Sequence, residues 1–114
     1  MSLHKKRRKR QLKGTAVSEG IPLIWELISE PQKHPDDGYI GARISVHVAE
    51  VARRELIVEF PFPTDRNGDY LPVTPKQTFT QSEIDAAIRL ATEAGWDPGS
   101  RGKVFSFTIP PKSV

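Results

Sequence analysis

The 114-residue chain contains no cysteine, which excludes disulfide bonds, thiol catalysis and zinc sites built on cysteine. A chain without cysteine fits a reducing compartment, and we expect a cytoplasmic protein. Long hydrophobic runs are missing as well. The longest, IPLIW, is only residues 21–25 and is followed by the charged Glu26, so we expect no membrane-spanning segment and no membrane partner. The polar stretch QLKGTAVSEG follows the basic start, where a secretory signal would be apolar, so we do not expect secretion.

Motifs of catalysis and of cofactor binding are also lacking. The three histidines, His4, His34 and His47, do not have the spacing of a helical metal site. The carboxylates are scattered, so nothing selects two of them as an acid–base pair, and no serine has the context of a nucleophile elbow. The sequence therefore predicts a protein that is not an enzyme and that binds no cofactor or metal.

Two short stretches resemble ligand-binding loops only in part. Asp65, Asn67 and Asp69 have the first spacings of a calcium loop, but Tyr70 replaces its glycine and Lys76 replaces its bidentate glutamate. A hairpin or Asx turn explains the same residues. The stretch GWDPGSRGK, residues 95–103, could form an anion-binding nest of backbone amides. Its other interpretation, a helix end followed by a turn into a strand, is favoured.

Positive charge is concentrated at one end of the chain. The unbroken basic run consists of Lys5, Lys6, Arg7, Arg8, Lys9 and Arg10. From Gly14 onward, ten basic residues face all fourteen acidic ones, a formal charge of −4. Such asymmetry is typical of an interaction tail. We predict a disordered basic arm over residues 1–18 and a single domain over residues 19–114.

The basic run has three interpretations. It could contact nucleic-acid phosphates, with an affinity that falls steeply with salt and carries no sequence information. It could act as a nuclear localisation signal in a eukaryote. It could also be a solubilising arm, without a specific ligand.

Alternating hydrophobic residues predict three strands before residue 61. IPLIWELISE, residues 21–30, is apolar on both faces and indicates a strand buried on both sides, with a short helix as the alternative. Residues 39–50 and 53–60 alternate with period two, which predicts an antiparallel hairpin. In that hairpin Arg43 and His47 would lie near Glu55 and Glu59 across the strands. The segment PQKHPDDG, residues 31–38, is typical of a loop.

One helix is indicated after residue 80. Thr80 and Glu83 have the spacing of a capping box, and Gly95 followed by Trp96 is typical of a helix end. The stripe of apolar residues that would face the core consists of Ile84, Ala87, Ile88 and Ala91. Residues 103–109 then alternate again, which predicts a last strand. The fold class expected is α+β: a small antiparallel sheet of three to four strands with one C-terminal amphipathic helix on one face.

Residues 73–105 resemble the C-terminal end of many short, uncharacterised bacterial proteins, over about a third of the chain. The shared pattern is a Thr-Pro start, a helix of the form I..AI..A, then GW.P and G..F. The matching residues are Thr74, Pro75, Ile84, Ala87, Ile88, Ala91, Gly95, Trp96, Pro98, Gly102 and Phe105. The resemblance implies a small bacterial α+β domain. Some proteins of this appearance are immunity-like partners in toxin systems, which implies a binder of another protein.

These observations together predict a non-catalytic binding protein whose partner is another protein. The contact surface is expected on the polar sheet face around Arg43, His47 and Glu59, or in the loops 31–38 and 61–75, because loops often carry binding residues. The alternative is a nucleic-acid-binding protein that uses its basic arm. The sequence does not indicate an oligomeric state.

Overall fold

The computed structural model describes residues 12–36, 38–70 and 78–110, and in these ranges the chain forms seven strands and one helix. In chain order they are β1 (Lys13–Ser18), β2 (Ile21–Ser29), β3 (Gln32–His34), β4 (Gly38–Ile40), β5 (Arg43–Val48), β6 (Leu56–Glu59), α1 (Gln81–Glu93) and β7 (Phe105–Thr108). Five strands form one sheet in the order β1-β2-β5-β6-β7, and β3 pairs with β4 in a second, two-stranded sheet. The predicted α+β class is confirmed.

The sheet is mixed and larger than predicted. The pairs β1–β2, β2–β5 and β5–β6 are antiparallel, whereas β7 runs parallel to β6. The expectation of a purely antiparallel sheet of three to four strands was therefore wrong. The helix, described as C-terminal, is followed by β7, within the stretch 103–109 where a last strand was predicted. A parallel neighbour requires a long crossover, and residues 60–104, which include α1, provide it.

The strand β1 corrects the predicted extent of the disordered arm, which was expected to reach residue 18. Lys13–Ser18 pairs antiparallel with β2, and Ala16 lies opposite Leu23 in the core. A two-residue turn joins the strands, with φ of 49° at Glu19 and 81° at Gly20, which matches the twist of a tight hairpin. Small residues on the inner side of β1 gave too weak a hydrophobic signal to predict it.

Residues 21–29 form a strand, but it is buried on one side only. Leu23 and Trp25 are buried, whereas Glu26 and Ile28 on the opposite face are exposed. The predicted burial on both sides was wrong because no layer covers the second face within the described ranges. The predicted loop 31–38 is likewise replaced by the β3–β4 hairpin.

The β5–β6 hairpin follows the predicted alternation. Ile44 lies opposite Val58 and Val46 opposite Leu56, and all four side chains are completely buried. The core that these strands share with α1 consists of Ala16, Leu23, Trp25, Ala42, Ile44, Val46, Leu56, Val58, Phe79, Ile84, Ala87, Ile88, Ala91 and Trp96. The helix therefore closes one face of the sheet, as predicted.

Helix α1 begins and ends as its sequence predicts. Thr80 and Glu83 form the reciprocal capping box, and the apolar stripe faces the core. At the other end the Gly95 amide donates to Thr92 O at 3.1 Å and the Trp96 amide donates to Ala91 O at 3.0 Å, the two bonds of a Schellman motif. In the part of the chain described, no helix is long and apolar enough to cross a membrane.

Two backbone segments touch at Gly41, between β4 and β5. A Cβ atom at this position would lie 1.6 Å from the carbonyl oxygen of Phe60. The Phe60 amide also donates to Ala42 O at 2.8 Å. This contact holds the backbone between β4 and β5 against Phe60, so that Tyr39 of β4 and Phe62, each two residues away, lie close together.

Candidate binding surface

The open face of the sheet carries the three residues that the sequence singles out. Arg43 lies opposite Glu59, and its Nε is 3.3 Å from Glu59 Oε1. This confirms the predicted cross-strand pair; the two side chains are 42% and 29% exposed, so water screens the pair. His47 lies opposite Ile24 of β2 and is half-exposed, and it borders a cleft that also includes Glu55.

A second polar contact on this face involves a residue that the sequence did not single out. Ser45 Oγ donates a hydrogen bond to Glu55 Oε2, although Ser45 is only 4% exposed. Glu55 therefore pairs with Ser45, and Glu59 pairs with Arg43. The open face thus holds Glu55 and Glu59 in local hydrogen bonds, whereas Glu26 on the same face is exposed.

Beyond the Arg43–Glu59 end of the sheet, three rings form what we call the aromatic cluster: Tyr39, Phe62 and Tyr70. The rings of Tyr39 and Tyr70 stack with centroids 3.8 Å apart and planes 17° apart. Phe62 meets both edge-on, at 4.9 and 5.5 Å. Phe62 is buried, but Tyr39 and Tyr70 are 37% and 50% exposed.

The turn that supplies Tyr70 is fixed by its own side chains. Asp65 Oδ1 accepts hydrogen bonds from the amides of Asn67, at 2.9 Å, and Asp69, at 3.0 Å. Thr64 and Tyr70 form an isolated antiparallel bridge across the turn. The Asx turn, which was the alternative to a calcium loop, is therefore present. Among the described residues no group of three or more His, Asp or Glu side chains could hold a metal ion.

Two grooves flank residues 60–63 beside the aromatic cluster. One, of about 430 Å³, lies between the cluster and the ends of β6 and β7, and its lining includes Glu59, Arg66 and Thr108. The other, of about 460 Å³, lies between residues 60–64 and the Ala86–Leu90 side of α1. Cationic groups also border the cluster, since Lys33 Nζ lies 5.5 Å from the Tyr39 ring centroid.

The second ligand-like stretch, residues 95–103, forms a turn. The Gly99 amide donates to Asp97 Oδ1 at 3.0 Å and the Ser100 amide donates to Asp97 O at 3.1 Å. Arg54 anchors the turn, because its Nε donates to Lys103 O at 2.7 Å. The amides of Gly99 and Ser100 are thus engaged internally, which favours the turn over an anion nest.

The sequence offered either the polar sheet face or the loops 31–38 and 61–75 as the contact surface. Residues 31–38 run into the β3–β4 hairpin, in which Tyr39 follows them directly, and loop 61–75 supplies Phe62 and Tyr70. Both meet at the Arg43–Glu59 end of the sheet, while His47 lies towards the opposite end of β5. Aromatic residues beside Pro61, Pro63 and the Asn67-Gly68 turn were the sequence signal that could have indicated the cluster.

Several predicted features lie outside the described residues. They are the basic run 5–10, His4, and the part of loop 61–75 that follows Tyr70. Comparison of the chain with protein-family models, with curated proteins and with solved structures finds no significant match.

Proposed function

We propose that this domain is a non-catalytic, cytoplasmic protein-binding module and that the aromatic cluster is the centre of its contact surface. The observation that carries the proposal is the pair of stacked, exposed tyrosines, Tyr39 and Tyr70. Tyrosine is enriched among the residues that dominate protein–protein binding energy. Its ring offers a large contact area with only two side-chain torsions to order.

The cluster is already held in a defined geometry, which favours binding. Phe62 is 7% exposed and packs beneath both tyrosines, and the Asp65 carboxylate fixes the turn that precedes Tyr70. Because the rings need little reordering, less of the contact energy is lost on association. The Arg43–Glu59 pair and Lys33 would form the polar rim that surrounds such a centre.

For the partner, we propose a protein of the toxin type, with this domain in an immunity-like role. The support is the resemblance of residues 73–105 to short bacterial proteins, some of which act in this way. The arrangement also suits inhibition by occlusion, since a binder of this kind needs an exposed contact surface but no catalytic group.

The test is binding of the full chain to products of neighbouring genes, measured by calorimetry on the purified pair. We expect Tyr70→Ala to weaken binding at least about tenfold, as for a residue at the centre of an interface. Val51→Ala is the control, because Val51 is 47% exposed but lies in the turn at the opposite end of the β5–β6 hairpin. Equal affinity of both variants, or no binding by any neighbouring product, would contradict the proposal.

As a second candidate function we propose sequence-independent binding of nucleic acid through Lys5 to Arg10. The support is the segregation of charge, with six consecutive cations before a body of formal charge −4. Each phosphate that such an arm neutralises releases counterions, so binding should weaken steeply with salt.

This second candidate is tested with the arm present but neutral. Leu12 O accepts a hydrogen bond from the Leu27 amide at 2.7 Å, so a truncation at Gly14 would also damage β1. Replacement of residues 5–10 by glutamine leaves the strand intact. Titration of duplex DNA and single-stranded RNA should show salt-dependent binding by the natural chain and almost none by the glutamine variant. Equal binding by both would show that residues 5–10 are not the segment that binds nucleic acid.

A further inference from the structure

The outer edge of β7 carries backbone groups that no described residue pairs. The Phe105 amide donates to Glu55 O and the Ile109 amide donates to Glu59 O, both at 2.9 Å. In a parallel ladder alternate residues face the neighbouring strand, so the amides and carbonyls of Ser106 and Thr108 point away from β6. Both residues are exposed. The edge therefore offers two donors and two acceptors to another strand.

The two edges of the sheet are protected differently. On β1, Gln81 Nε2 of the helix donates a hydrogen bond to Thr15 O at 3.1 Å, which occupies an acceptor on that edge. On β7, residues 104–109 read VFSFTI, without charge, proline or bulge. Exposed edges normally carry such devices because an unprotected strand is a template for pairing with another chain.

The side chains of β7 are also incompletely covered. Phe105, Phe107 and Ile109 are only partly buried against the core, and Val104 is 49% exposed. Helix α1 packs mainly on β1 and β6, and a groove separates Ile109 at the end of β7 from the Ala86–Leu90 side of the helix. An apolar strand placed beside β7 would complete the burial of these side chains.

We propose that the occupant of this edge is β7 of a second copy of the chain, paired antiparallel about a two-fold axis at Phe107. This proposal does not rest on the proposed function, although Thr108 also lines the groove beside the aromatic cluster. Ser106 of each copy would pair with Thr108 of the other, with hydrogen bonds in both directions. Phe107 would lie directly opposite Phe107 of the second copy, at the close, non-hydrogen-bonded position where aromatic pairs interact well.

The absence of charged residues from the paired segment favours this self-pairing and this register. No charged side chain faces another between residues 104 and 110, and Pro110, which lacks an amide hydrogen, ends the ladder opposite Val104. A register centred on Ser106 would instead place Lys103 against Ile109. Two such sheets would form one continuous ten-stranded sheet from two five-stranded ones. The interface is short, so we expect weak, reversible association.

The first test is sedimentation equilibrium of the full chain up to about 1 mM, a range that detects weak association. We expect a monomer–dimer equilibrium in the natural protein. Ser106→Lys with Thr108→Lys places lysine opposite lysine twice and should weaken association at least about tenfold. The matched variant Ser106→Lys with Thr108→Glu places opposite charges across the axis and should dimerise. A natural chain that stays monomeric, or two variants that behave alike, would overturn the proposal.

The second test uses the unaltered protein. Amide hydrogen exchange of Ser106 and Thr108, measured by NMR, should slow as the protein concentration rises, because dimerisation gives these amides ladder acceptors. The Phe105 amide already donates to Glu55 O and serves as the internal reference. Exchange of Ser106 and Thr108 that does not change with concentration would overturn the proposal.

Discussion

The side chains on the covered face and on the open face of the five-stranded sheet make different kinds of contact. On the covered face, residues such as Leu56 and Val58 are buried against α1 without any polar contact. On the open face, Arg43 binds Glu59 and Ser45 binds Glu55. Burial of apolar area is the larger energetic term, so stability should come mainly from one face, which leaves the other available for recognition.

The largest expected difference in stability between the faces appears when two neighbouring residues of β6 are each replaced by alanine. Leu56 is 0% exposed, so Leu56→Ala should lower the free energy of unfolding by about 2 to 5 kcal/mol. Ile57, next in the chain, is half-buried on the open face, and Ile57→Ala removes the same number of carbons for about 1 kcal/mol. Urea denaturation measures both. Equal losses would show that the open face is covered in solution.

A smaller effect on stability is expected when the buried indole that makes a hydrogen bond, that of Trp96, is replaced. Trp96 Nε1 donates to Arg54 O at 3.0 Å, whereas the Trp25 Nε1 finds no partner among the described residues. Trp96→Phe should therefore cost about 1 to 2 kcal/mol more than Trp25→Phe, because only the first leaves a carbonyl unpaired. Thermal unfolding of both variants checks the difference, and a larger loss at Trp25 would contradict it.

Substitution of the helix cap, Thr80, measures how much the start of α1 contributes to the stability of the covered face. Thr80 Oγ1 accepts from the Glu83 amide at 3.1 Å, and Thr80→Ala should lower stability by about 1 kcal/mol. Thr80→Ser keeps the acceptor and is expected to be nearly neutral. The comparison is made by urea denaturation. An alanine variant as stable as the serine variant would mean that the cap contributes nothing to the closed face.

The smallest effect on stability is expected on the open face itself. Arg43→Ala removes a pair whose partners are 42% and 29% exposed, and exposed pairs contribute about 0 to 1 kcal/mol. We expect a melting temperature close to that of the natural protein and weaker binding of the proposed partner, because Arg43 belongs to the proposed polar rim. A clear loss of stability would place Arg43 in the structural part of the molecule, and unchanged binding would exclude Arg43 from the contact rim.

Local signals in the sequence predicted those parts of the fold that local interactions specify. The capping box, the apolar stripe and the Gly95-Trp96 end of α1 all depend on residues within one or two turns. The β5–β6 hairpin was predictable for the same reason. Strand β1 was not, because it is ordered by pairing with β2 and by an unusual Glu19-Gly20 turn.

Long-range contacts account for what the sequence did not reveal. The parallel position of β7 depends on where the crossover returns, and alternation alone is the same in parallel and antiparallel edge strands. The aromatic cluster depends on Gly41, which lets two backbones meet and so brings Tyr39 beside Phe62 and Tyr70. Arg43, His47 and Glu59 were found by alternation, but the grouping of Arg43 and Glu59 with the loops, and the separation of His47 from them, required the folded chain.

The contact at Gly41 has a consequence for reading genetic data on this protein. Every single-nucleotide missense change of a glycine codon introduces a Cβ atom, which here would lie 1.6 Å from the Phe60 oxygen. A saturation screen should therefore find Gly41 among the least tolerant positions, although it bears no side chain and no chemistry. The same intolerance would appear under selection for any activity. Depletion of variants at this codon would thus report the architecture of the protein, and tolerance at Tyr39 or Tyr70 would be the informative measure of its role.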